Sequence, residues 1–585
     1  MADLLRLYNS DLKESQKKKI AWELFVWYSG QYDIDTSKTA LEVLPTAINK
    51  MDNSDLLRKA LIIKAECQRT LNNYTDAYKT IDEALSLGED PNVYLAFACL
   101  ETTISSRINW INKSLSTNKI SEISLKEDDF KSKSPLDSIK VREVHSKYNS
   151  IIDPVKVSVI MPVYNSEKVI KTAIESVLNQ TWKNIELIIV DDCSVDSTVP
   201  IIEELSKNDD RIHLLKSDKN QGTYVARNIG LKYATGDFIT CQDADDWAHP
   251  EKIERQAIHL IDNSFLIGNT SQTVRTTDDF FFARKGKIGQ YICNNFSSLM
   301  FRRDRVENRI GFWDSVRFAA DGEFIRRIRK VYGKDSIINL NTGILSFSRI
   351  SKNSLTENSA FGYNGFFYGA RKEYVESFSY FHDNFENLKI EFPQLVRPFA
   401  IPDPLKPNRE LDRNFDVILV ADYISTDDIE NNIKILSGFR EQGLRIGLIQ
   451  MSSYNLNYSE INISKHYREI IDGGQLQVIV YGETVSCDVI VVSNSLILKE
   501  KQEYVPIVEK SNSIHVIVTH EVDSYRTETC ENNLKYYFGK TGIWYPMNQK
   551  IREEISRSTK SLIKMNLSNL DWDTKHLDIY KGVNR

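Results

Sequence analysis

The chain has 585 residues, of which 41% are hydrophobic and 27% charged, and its formal net charge at pH 7 is −6; this length predicts about three or four domains. An acidic balance without a basic tract that interleaves aromatic residues excludes a typical nucleic-acid-binding protein, and no apolar run reaches the roughly 18 residues that a membrane-spanning helix needs. Seven scattered cysteines form no Cys-x-x-Cys pair and no signal peptide precedes the first helix, so we expect a cytoplasmic protein that meets the inner face of the membrane only peripherally.

The first 116 residues predict a helical domain. Small residues at Ala65, Ala77 and Ala84 allow two helices to pack closely, and the stretch 55–89, followed by Pro91, resembles one tetratricopeptide repeat. A single repeat cannot bury its own face. The helices therefore pack together or dock on the following domain, and this region is the expected contact for a membrane surface or a protein partner. A polar linker is predicted over 117–154.

Strands and helices alternate from residue 155 onwards. Apolar strands are predicted over 157–165, which ends in a polar turn, 185–190, 212–215 and 238–242, and amphipathic helices separate them. This alternation favours a doubly wound, largely parallel sheet. Because ligands of such sheets bind beyond the carboxyl ends of the strands, the segments that follow the first, second and fourth strands are expected to meet in one crevice.

An acidic trio follows the fourth of these strands. In an extended chain residues i and i+2 point the same way, so Asp243 and Asp245 can address one ligand together. Two carboxylates held in this way suit a hard divalent cation, with open positions for phosphate oxygens. A solvated acidic turn is the alternative that the residues alone leave open.

Five segments together carry a family resemblance: Val-Ser-Val-Ile-Met-Pro-Val-Tyr-Asn (157–165), Ser-Val-Leu-Asn-Gln-Thr (176–181), Glu-Leu-Ile-Ile-Val-Asp-Asp-Cys-Ser-Val-Asp-Ser-Thr (186–198), Asn-Gln-Gly-Thr-Tyr-Val-Ala-Arg-Asn-Ile-Gly (220–230) and Gln-Asp-Ala-Asp-Asp-Trp (242–247). In this order and spacing they resemble a family 2 glycosyltransferase with the GT-A fold. The resemblance implies a catalytic domain over 155–398. It also implies sugar transfer from a nucleotide diphosphate donor with inversion at the anomeric carbon, assisted by Mn²⁺ or Mg²⁺.

The same resemblance implies a role for individual residues. The metal ligand would be Asp245, and Asp243 would contact the ribose. The other residues expected around the nucleotide sugar, including an arginine for its diphosphate, are Pro162, Tyr164, Asn165, Asp191, Asp192, Gly222, Arg227 and Ala244. A turn-capping role for Asp191 and a surface position for Arg227 are the alternatives.

Inverting transfer also needs a base that takes the proton of the acceptor hydroxyl. The family motif places Asp321 there and Glu323 in reserve, with Ala320 where relatives usually have Glu. A helix N-cap is the structural alternative for Asp321. Relatives often carry Arg-x-His further on, where this chain has Arg349-Ile-Ser351, so the third metal ligand is undefined and His382 is a weak substitute.

A second α/β unit is predicted over 415–585, after a proline-rich linker over 399–414. Its strands and helices resemble one Rossmann-like half of a GT-B glycosyltransferase, although about 170 residues leave no room for the second half. Acceptor binding, partner docking and a structural role all remain open for it.

Together these features predict an α/β protein, with a GT-A doubly wound mixed sheet between an all-α N-terminal domain and a C-terminal Rossmann-like domain. The expected function is metal-dependent, inverting transfer of a hexosyl or N-acetylhexosaminyl group from a UDP-linked donor to a growing glycan or a wall or capsule polymer. A catalytically degenerate scaffold of a polysaccharide assembly complex is the alternative. A nucleotidyltransferase is a third hypothesis, weakened by the lack of a Gly-rich, Lys- or Arg-bearing loop after the first strand.

Overall fold

The computed structural model describes residues 2–126, 133–142, 155–284, 286–350, 360–362, 365–425, 428–453, 461–519, 524–557 and 566–572. Cα packing divides the chain into two compact units. The first comprises Met1–Asn220, Ala226–Ile310 and Ile328–Ser351, and the second comprises Gln221–Val225, Gly311–Arg327 and Lys352–Arg585. The predicted domain limits stay predictions, since this division passes through the segment 155–398.

Seven helices open the first unit: α1 (Ala2–Tyr8), α2 (Glu14–Ser29), α3 (Ile34–Ile48), α4 (Ser54–Thr70), α5 (Tyr74–Ser86), α6 (Pro91–Leu100) and α7 (Ile104–Ser116). Helices α3 to α7 each begin after a residue whose side chain accepts a backbone amide of the first turn, namely Asp33, Asn53, Asn73, Asp90 and Thr103. The predicted small residues Ala65, Ala77 and Ala84 are all buried, and α4 packs against α5. The likeness to a tetratricopeptide repeat stays a prediction.

These helices pack together and also contact the segment 286–294, called the arm here, which ends in a strand of the large sheet. Both arrangements that the sequence left open therefore occur within the first unit. The side-chain oxygen of Asn92 accepts the backbone amides of Tyr291 and Ile292 at 2.8 and 2.9 Å. Gly289 has φ +57°, and a Cβ there would lie 2.3 Å from the carbonyl oxygen of Lys59, so only glycine permits this approach. The contact is therefore specific to this pairing of helix and arm.

Two short strands, β1 (Ile123–Leu125) and β2 (Ile139–Val141), pair antiparallel inside the predicted linker. Then follow β3 (Val157–Val163), α8 (Ile170–Leu178), β4 (Ile185–Asp191), α9 (Thr198–Ser206), β5 (Ile212–Lys216), α10 (Thr223–Tyr233), β6 (Phe238–Cys241), β7 (Trp247–Ala248), α11 (Lys252–Asp262), β8 (Gly268–Thr276), β9 (Phe282–Ala283), β10 (Cys293–Asn294), β11 (Met300–Arg302), α12 (Arg303–Arg309), α13 (Ala320–Tyr332) and β12 (Ile337–Arg349).

The large sheet of the first unit has the strand order β5-β4-β3-β6-β11-β8-β12-β7, and β9 and β10 both pair with β8. Strands β3 to β6 run parallel, whereas β11 is antiparallel to both β6 and β8. Every residue of β3 and of β4 is buried, as expected for parallel strands covered on both faces. The predicted mixed, doubly wound α/β sheet is thereby confirmed.

The second unit contains α14 (Gly365–Tyr368), α15 (Ala370–Asn384), β13 (Asn414–Ala421), α16 (Ile429–Glu441), β14 (Ile446–Gln450), α17 (Lys465–Arg468), β15 (Leu476–Val478), β16 (Thr484–Val492), β17 (Ile507–Lys510), β18 (Ser513–Val518), α18 (Ser524–Phe538), β19 (Ile543–Pro546) and α19 (Gln549–Arg557). Its sheet has the order β15-β14-β13-β16-β18-β19, with β17 beside β16. All of these pairings are parallel. This is a doubly wound order, and its relation to a GT-B half stays a prediction.

Within the described part of the chain, no helix combines the length and the apolar composition that crossing a membrane requires.

Candidate functional site

The carboxyl ends of β4, β3 and β6 form one edge of the large sheet. Pro162 of β3 lies opposite Val190 of β4, and Ile160 lies opposite Cys241 of β6. The amide of Gln242 donates to the carbonyl oxygen of Ile160 at 3.0 Å. The loops after these three strands, which hold most of the predicted nucleotide-sugar residues, therefore start side by side.

The loops after β3 and β4 are bound to each other. The Asn165 amide donates to Ser194 Oγ at 2.9 Å, and the Asn165 side-chain oxygen accepts the amide of Val195 at 2.9 Å. Asn165 adopts φ +46° and Cys193 φ +72°, and such left-handed backbone is uncommon outside glycine. Tyr164, predicted beside the base, is 49% exposed, so its ring has room for a stacking partner.

The paired acids after β4 have different surroundings. The carboxylate of Asp191 accepts the amide of Ser194 at 3.1 Å, which is the turn-capping contact weighed above. Asp192 is 4% exposed, and its amide donates to the carbonyl oxygen of Val163 at 2.8 Å. Its carbonyl oxygen accepts the side-chain amide of Asn220 at 3.0 Å. Asp192 is therefore held at the strand edge from both sides.

Arg227 is a buried residue rather than a surface one. It is 2% exposed, and its Nη2 lies 2.9 Å from Asp243 Oδ1. The helix α10 thus brings a guanidinium to the first carboxylate of the acidic trio. Ala244, which lies between the acids, is also buried, at 8% exposed.

The acidic loop, residues 243–246, concentrates negative charge at the end of β6. Burial and the neighbouring Asp243 carboxylate raise the pKa of Asp245 to about 6. Burial, with Asp245 and Asp243 nearby, raises the pKa of Asp246 well above its usual range. Asp246 nevertheless accepts Ser348 Oγ at 2.8 Å and the backbone amide of Arg349 at 3.1 Å. The loop therefore holds more negative charge than its surroundings offset.

A buried lysine, Lys252, lies near this loop. Lys252 is 3% exposed, and its Nζ donates to Gln242 Oε1 at 2.9 Å. Burial lowers the pKa of Lys252 to about 8, although the nearby Asp246 and Asp243 oppose that shift. The side-chain amide of Gln242 in turn donates to the carbonyl oxygen of Asp246 at 3.1 Å. Gln242 thus connects the lysine with the backbone of the acidic loop.

The donor atoms of the acidic loop fit a hard divalent cation. They are carboxylate oxygens, which Mg²⁺ and Mn²⁺ prefer, and a bound cation would oppose the burial and the repulsion from Asp243 that raise the pKa of Asp245. Among the described residues, no group of three or more His, Cys, Asp or Glu side chains is arranged to hold a metal. Mg²⁺ commonly binds through one or two carboxylates together with substrate phosphates.

Gly222 and Asp321 belong to the second unit. Gly222 has φ +92°, and a Cβ there would lie 2.4 Å from the Cα of Arg317, so glycine is required. Asp321 lies in the first turn of α13, and its amide donates to the Tyr224 hydroxyl at 3.1 Å. The preceding Ala320 is fully buried, and Ala319 adopts φ +79°, a strained conformation of the kind that clusters at functional sites.

Glu323, the reserve candidate for the base, is engaged in a buried ion pair of the second unit. It is 0% exposed, Arg327 Nε lies 2.7 Å from its Oε1, and His382 Nε2 lies 2.9 Å from the same oxygen. Burial alone would raise the pKa of Glu323, but Arg327 and His382 outweigh burial and lower it. His382, considered above as a metal ligand, is thus a partner of this carboxylate.

Sequence reasoning did not single out Lys252 or Arg349 as parts of the site. A lysine at the start of α11 gives no local sign that it is buried near an acidic loop six to nine residues earlier in the chain. Arg349 was considered only because it precedes the position of a missing histidine. Ser351, which occupies that position, lies outside the described residues.

Comparison with known proteins agrees with these features. A model of the family described as Glycosyl transferase family 2 matches residues 158–325. The chain is 31% identical to an uncharacterized glycosyltransferase of Haemophilus influenzae, over 37% of this chain and 90% of that protein. It is 44% identical to the Escherichia coli UDP-Glc:alpha-D-GlcNAc-diphosphoundecaprenol beta-1,3-glucosyltransferase WfgD, over 18% of this chain and 42% of that enzyme.

Among solved structures, fragment 1–349 of S. aureus TarS in complex with UDP-GlcNAc is similar at 21% identity, with a TM-score of 0.27, over 34% of this chain and 60% of that chain. The chain spans less than half the length of WfgD but nearly all of the Haemophilus protein. The sequence match, the strand order and the acidic loop all lead to one conclusion: the chain belongs to glycosyltransferase family 2.

Proposed function

We propose that this chain is a metal-dependent, inverting glycosyltransferase that moves a hexosyl or N-acetylhexosaminyl group from a UDP-linked donor to a hydroxyl group of a growing glycan or a wall or capsule polymer. The observation that carries the proposal is the acidic loop, in which burial and Asp243 raise the pKa of Asp245 to about 6. Carboxylates with such perturbed pKa values are typical of functional sites, and a divalent cation would offset the charge of this one. WfgD, 44% identical over its matched part, carries UDP-Glc in its name, which supports a uridine nucleotide.

In this proposal the edge of the large sheet binds the nucleotide. Tyr164 stacks on the base, and Asp192 accepts hydrogen bonds from the base or the ribose. Asp243 contacts the ribose and remains paired with Arg227, which meets oxygens of the diphosphate or the sugar. Mn²⁺ or Mg²⁺ held by Asp245 would neutralise the charge that develops on the leaving diphosphate.

Transfer forms one bond and breaks one. The acceptor hydroxyl oxygen bonds to the anomeric carbon, the bond from that carbon to the diphosphate oxygen breaks, and UDP leaves with the bonding electrons. The hydroxyl proton passes to a carboxylate, which we assign to Asp321 because the family motif places it there and because Glu323 is already committed to Arg327 and His382. Attack opposite to the leaving group inverts the anomeric configuration.

Hydrolysis of UDP-sugars in the absence of an acceptor tests the proposal. Wild-type protein with Mn²⁺ should release UDP slowly from at least one UDP-hexose or UDP-N-acetylhexosamine, and EDTA or Asp245→Asn should stop the release. Asp262→Asn, which alters an exposed carboxylate at the end of α11, is the matched control and should behave as wild type. Metal-independent release, or equal release by Asp245→Asn, would contradict the proposal.

A catalytically degenerate scaffold is the second candidate, and Ala320 favours it. The position where relatives usually have Glu holds a fully buried methyl group. A scaffold of this kind would bind UDP in the presence of Mn²⁺ but release none from any UDP-sugar, with or without oligosaccharide acceptors. Binding without turnover across a full panel of UDP-sugars would therefore replace the enzymatic proposal with this one.

A further inference from the structure

Arg349, at the end of β12, makes contacts on both sides of its guanidinium within the first unit. On one side its Nε donates to the backbone carbonyl oxygen of Asp245 at 3.3 Å, and its backbone amide donates to the Asp246 carboxylate at 3.1 Å. On the other side Nη2 donates to Asp137 Oδ1 at 2.6 Å, and Nη1 pairs with Asp278. The side chain thus connects the backbone of the acidic loop to two other carboxylates.

The two carboxylates differ in how firmly they hold the arginine. Asp278 is 52% exposed, whereas Asp137 is 14% exposed and Arg349 is 7% exposed. Ion pairs at exposed sites contribute little, but hydrogen bonds between charged groups in sheltered positions are stronger. Asp137 is therefore the main anchor of the guanidinium.

Asp137 is itself fixed by its neighbours. Its Oδ1 accepts Thr172 Oγ1 from α8 at 2.8 Å, and its Oδ2 accepts Ser134 Oγ at 2.6 Å. The amide of Leu136 donates to the carbonyl oxygen of Asp278 at 3.1 Å, so the segments that carry the two acids lie side by side. The anchor is thus part of a built structure rather than a loose surface contact.

The N-terminal helices extend this network. Arg107 of α7 donates through Nη1 to the carbonyl oxygen of Asp279 at 2.6 Å, and its guanidinium lies 3.8 Å from the centre of the Phe281 ring. Helix α7 therefore fixes the backbone immediately after Asp278. A continuous set of contacts runs from the helical region through Asp278 and Arg349 to the carbonyl oxygen of Asp245.

We propose that Arg349 is a positioning residue of the acidic loop and that Asp137, which precedes the part of the chain matched by the family at 158–325, anchors it. Asp137 and Arg349 would not touch the sugar donor. They fix the backbone from which Asp245 extends, so that the carboxylate is already placed for the cation. The segment before the transferase strands and the N-terminal helices then contribute to metal binding. This inference rests on the proposed function for the identity of the ligand.

Amide hydrogen exchange of the metal-free full chain tests the positioning directly. Asp137→Asn removes the anionic partner of Arg349 with little change in shape, and we expect exchange in peptides covering 243–249 to become about tenfold faster, as for the loss of one charge-assisted hydrogen bond. Thr172→Val removes only one of the bonds that fix Asp137 and is the matched control, with little expected change. Arg349→Lys keeps the positive charge but cannot span both sides, and should resemble Asp137→Asn.

Calorimetry with Mn²⁺ and UDP gives the second readout. Asp137→Asn and Arg349→Lys should weaken Mn²⁺ binding to the UDP-loaded protein by roughly tenfold, the lower end of what outer-shell partners of metal ligands contribute, while UDP affinity without metal stays unchanged. Loop exchange and Mn²⁺ affinity that both equal wild type in a folded Asp137→Asn protein would overturn the inference. If wild type itself binds no Mn²⁺ with UDP, the proposed function fails, and the exchange experiment alone decides the positioning role.

Discussion

The acidic loop 243–246 and the buried group formed by Glu323, Arg327 and His382 place carboxylates in opposite electrostatic environments. In the loop, burial and mutual repulsion raise the pKa of Asp245 to about 6. In the buried group, Arg327 and His382 outweigh the effect of burial and lower the pKa of Glu323. One carboxylate is held at an electrostatic disadvantage, and the other is fully compensated by protein partners.

Under the proposed function, this difference separates a ligand-binding role for the acidic loop from a structural role for Glu323. A compensated carboxylate such as Glu323 has its charge balanced by protein partners, so its removal leaves a buried cation unpaired. The loop keeps an unfavourable charge arrangement even though Arg227 pairs with Asp243 at 2.9 Å. A divalent cation would supply the missing compensation, so the same substitution, carboxylate to amide, should have opposite consequences in the two regions.

The largest effect is expected for Asp245→Ala. In the proposed function this substitution removes the main protein ligand of the cation, whose charge stabilisation would be worth several kcal/mol. At about tenfold per 1.36 kcal/mol, turnover should fall by more than roughly 100-fold. Metal-dependent tightening of UDP should disappear as well. Steady-state kinetics and UDP titration with and without EDTA check this. A variant with full activity in EDTA would show that turnover does not depend on a divalent cation.

Asp321→Asn should come next. A base that acts only in the transition state contributes little to donor binding, so turnover should fall by about 10²–10⁴-fold while UDP affinity stays near wild type. Transfer assays paired with calorimetry measure both quantities. A larger loss of turnover in correctly folded Glu323→Gln protein would indicate that Glu323, and not Asp321, is the base.

Glu323→Gln should mainly affect stability. The change leaves Arg327 buried opposite a neutral group, and breaking a buried ion pair typically costs about 3–5 kcal/mol. The temperature of unfolding should therefore fall, whereas Asp245→Asn should raise it in metal-free buffer because it removes repulsion with Asp243. Scanning calorimetry measures the change in unfolding temperature of each variant. A drop of equal size in both would contradict the predicted difference between the two regions.

A third carboxylate, Glu186 at the start of β4, extends the comparison to the pH dependence of stability. Burial would raise the pKa of Glu186, but hydrogen bonds from Lys156, Ser158 and Thr235 outweigh burial and lower it from 4.5 to about 2. Stability from a depressed folded-state pKa is present above the unfolded value and is lost as the pH falls through the folded one. At about 1.36 kcal/mol per unit, the contribution at pH 7 is roughly 3 kcal/mol.

Glu186→Gln should therefore lower the unfolding temperature at pH 7, and the difference from wild type should shrink as the pH falls from about 4.5 towards 2. Glu42→Gln, the same change at an exposed carboxylate on α3, is the matched control, and its difference from wild type should stay small across this pH range. A Glu186→Gln difference that does not change with pH would contradict the compensated state of this carboxylate.

The sequence predicted the local features of the fold around the candidate site well because these depend on short patterns. The strands before Asn165, Asp191 and Asp243 are apolar runs that end in polar turns, so their common edge followed from the topology of parallel sheets. Contacts between distant segments were not accessible in the same way. The ion pair of Arg349 with Asp137 joins residues 212 positions apart, and the burial of Lys252 and Glu323 depends on packing that no local pattern encodes.

Some predictions from the sequence were incomplete for the same reason. The polar composition of 117–154 predicts a linker, yet its described residues include the paired strands β1 and β2 and the anchor Asp137. Long-range hydrogen bonding gives structure to a segment whose composition alone suggests little. The sequence predicts Ala320 as a departure from the family motif, and the structure adds that its side chain is fully buried.

Calorimetric titration of UDP into wild type, Asp245→Asn and Glu323→Gln, each with Mn²⁺ and with EDTA, tests the central claim most directly. We predict that Mn²⁺ tightens UDP binding at least about tenfold, the effect of 1.4 kcal/mol, in wild type and in folded Glu323→Gln protein, and that Asp245→Asn loses this tightening while it keeps its metal-free affinity. Equal UDP affinity with Mn²⁺ and EDTA in wild type, or tightening that survives Asp245→Asn, would contradict the account.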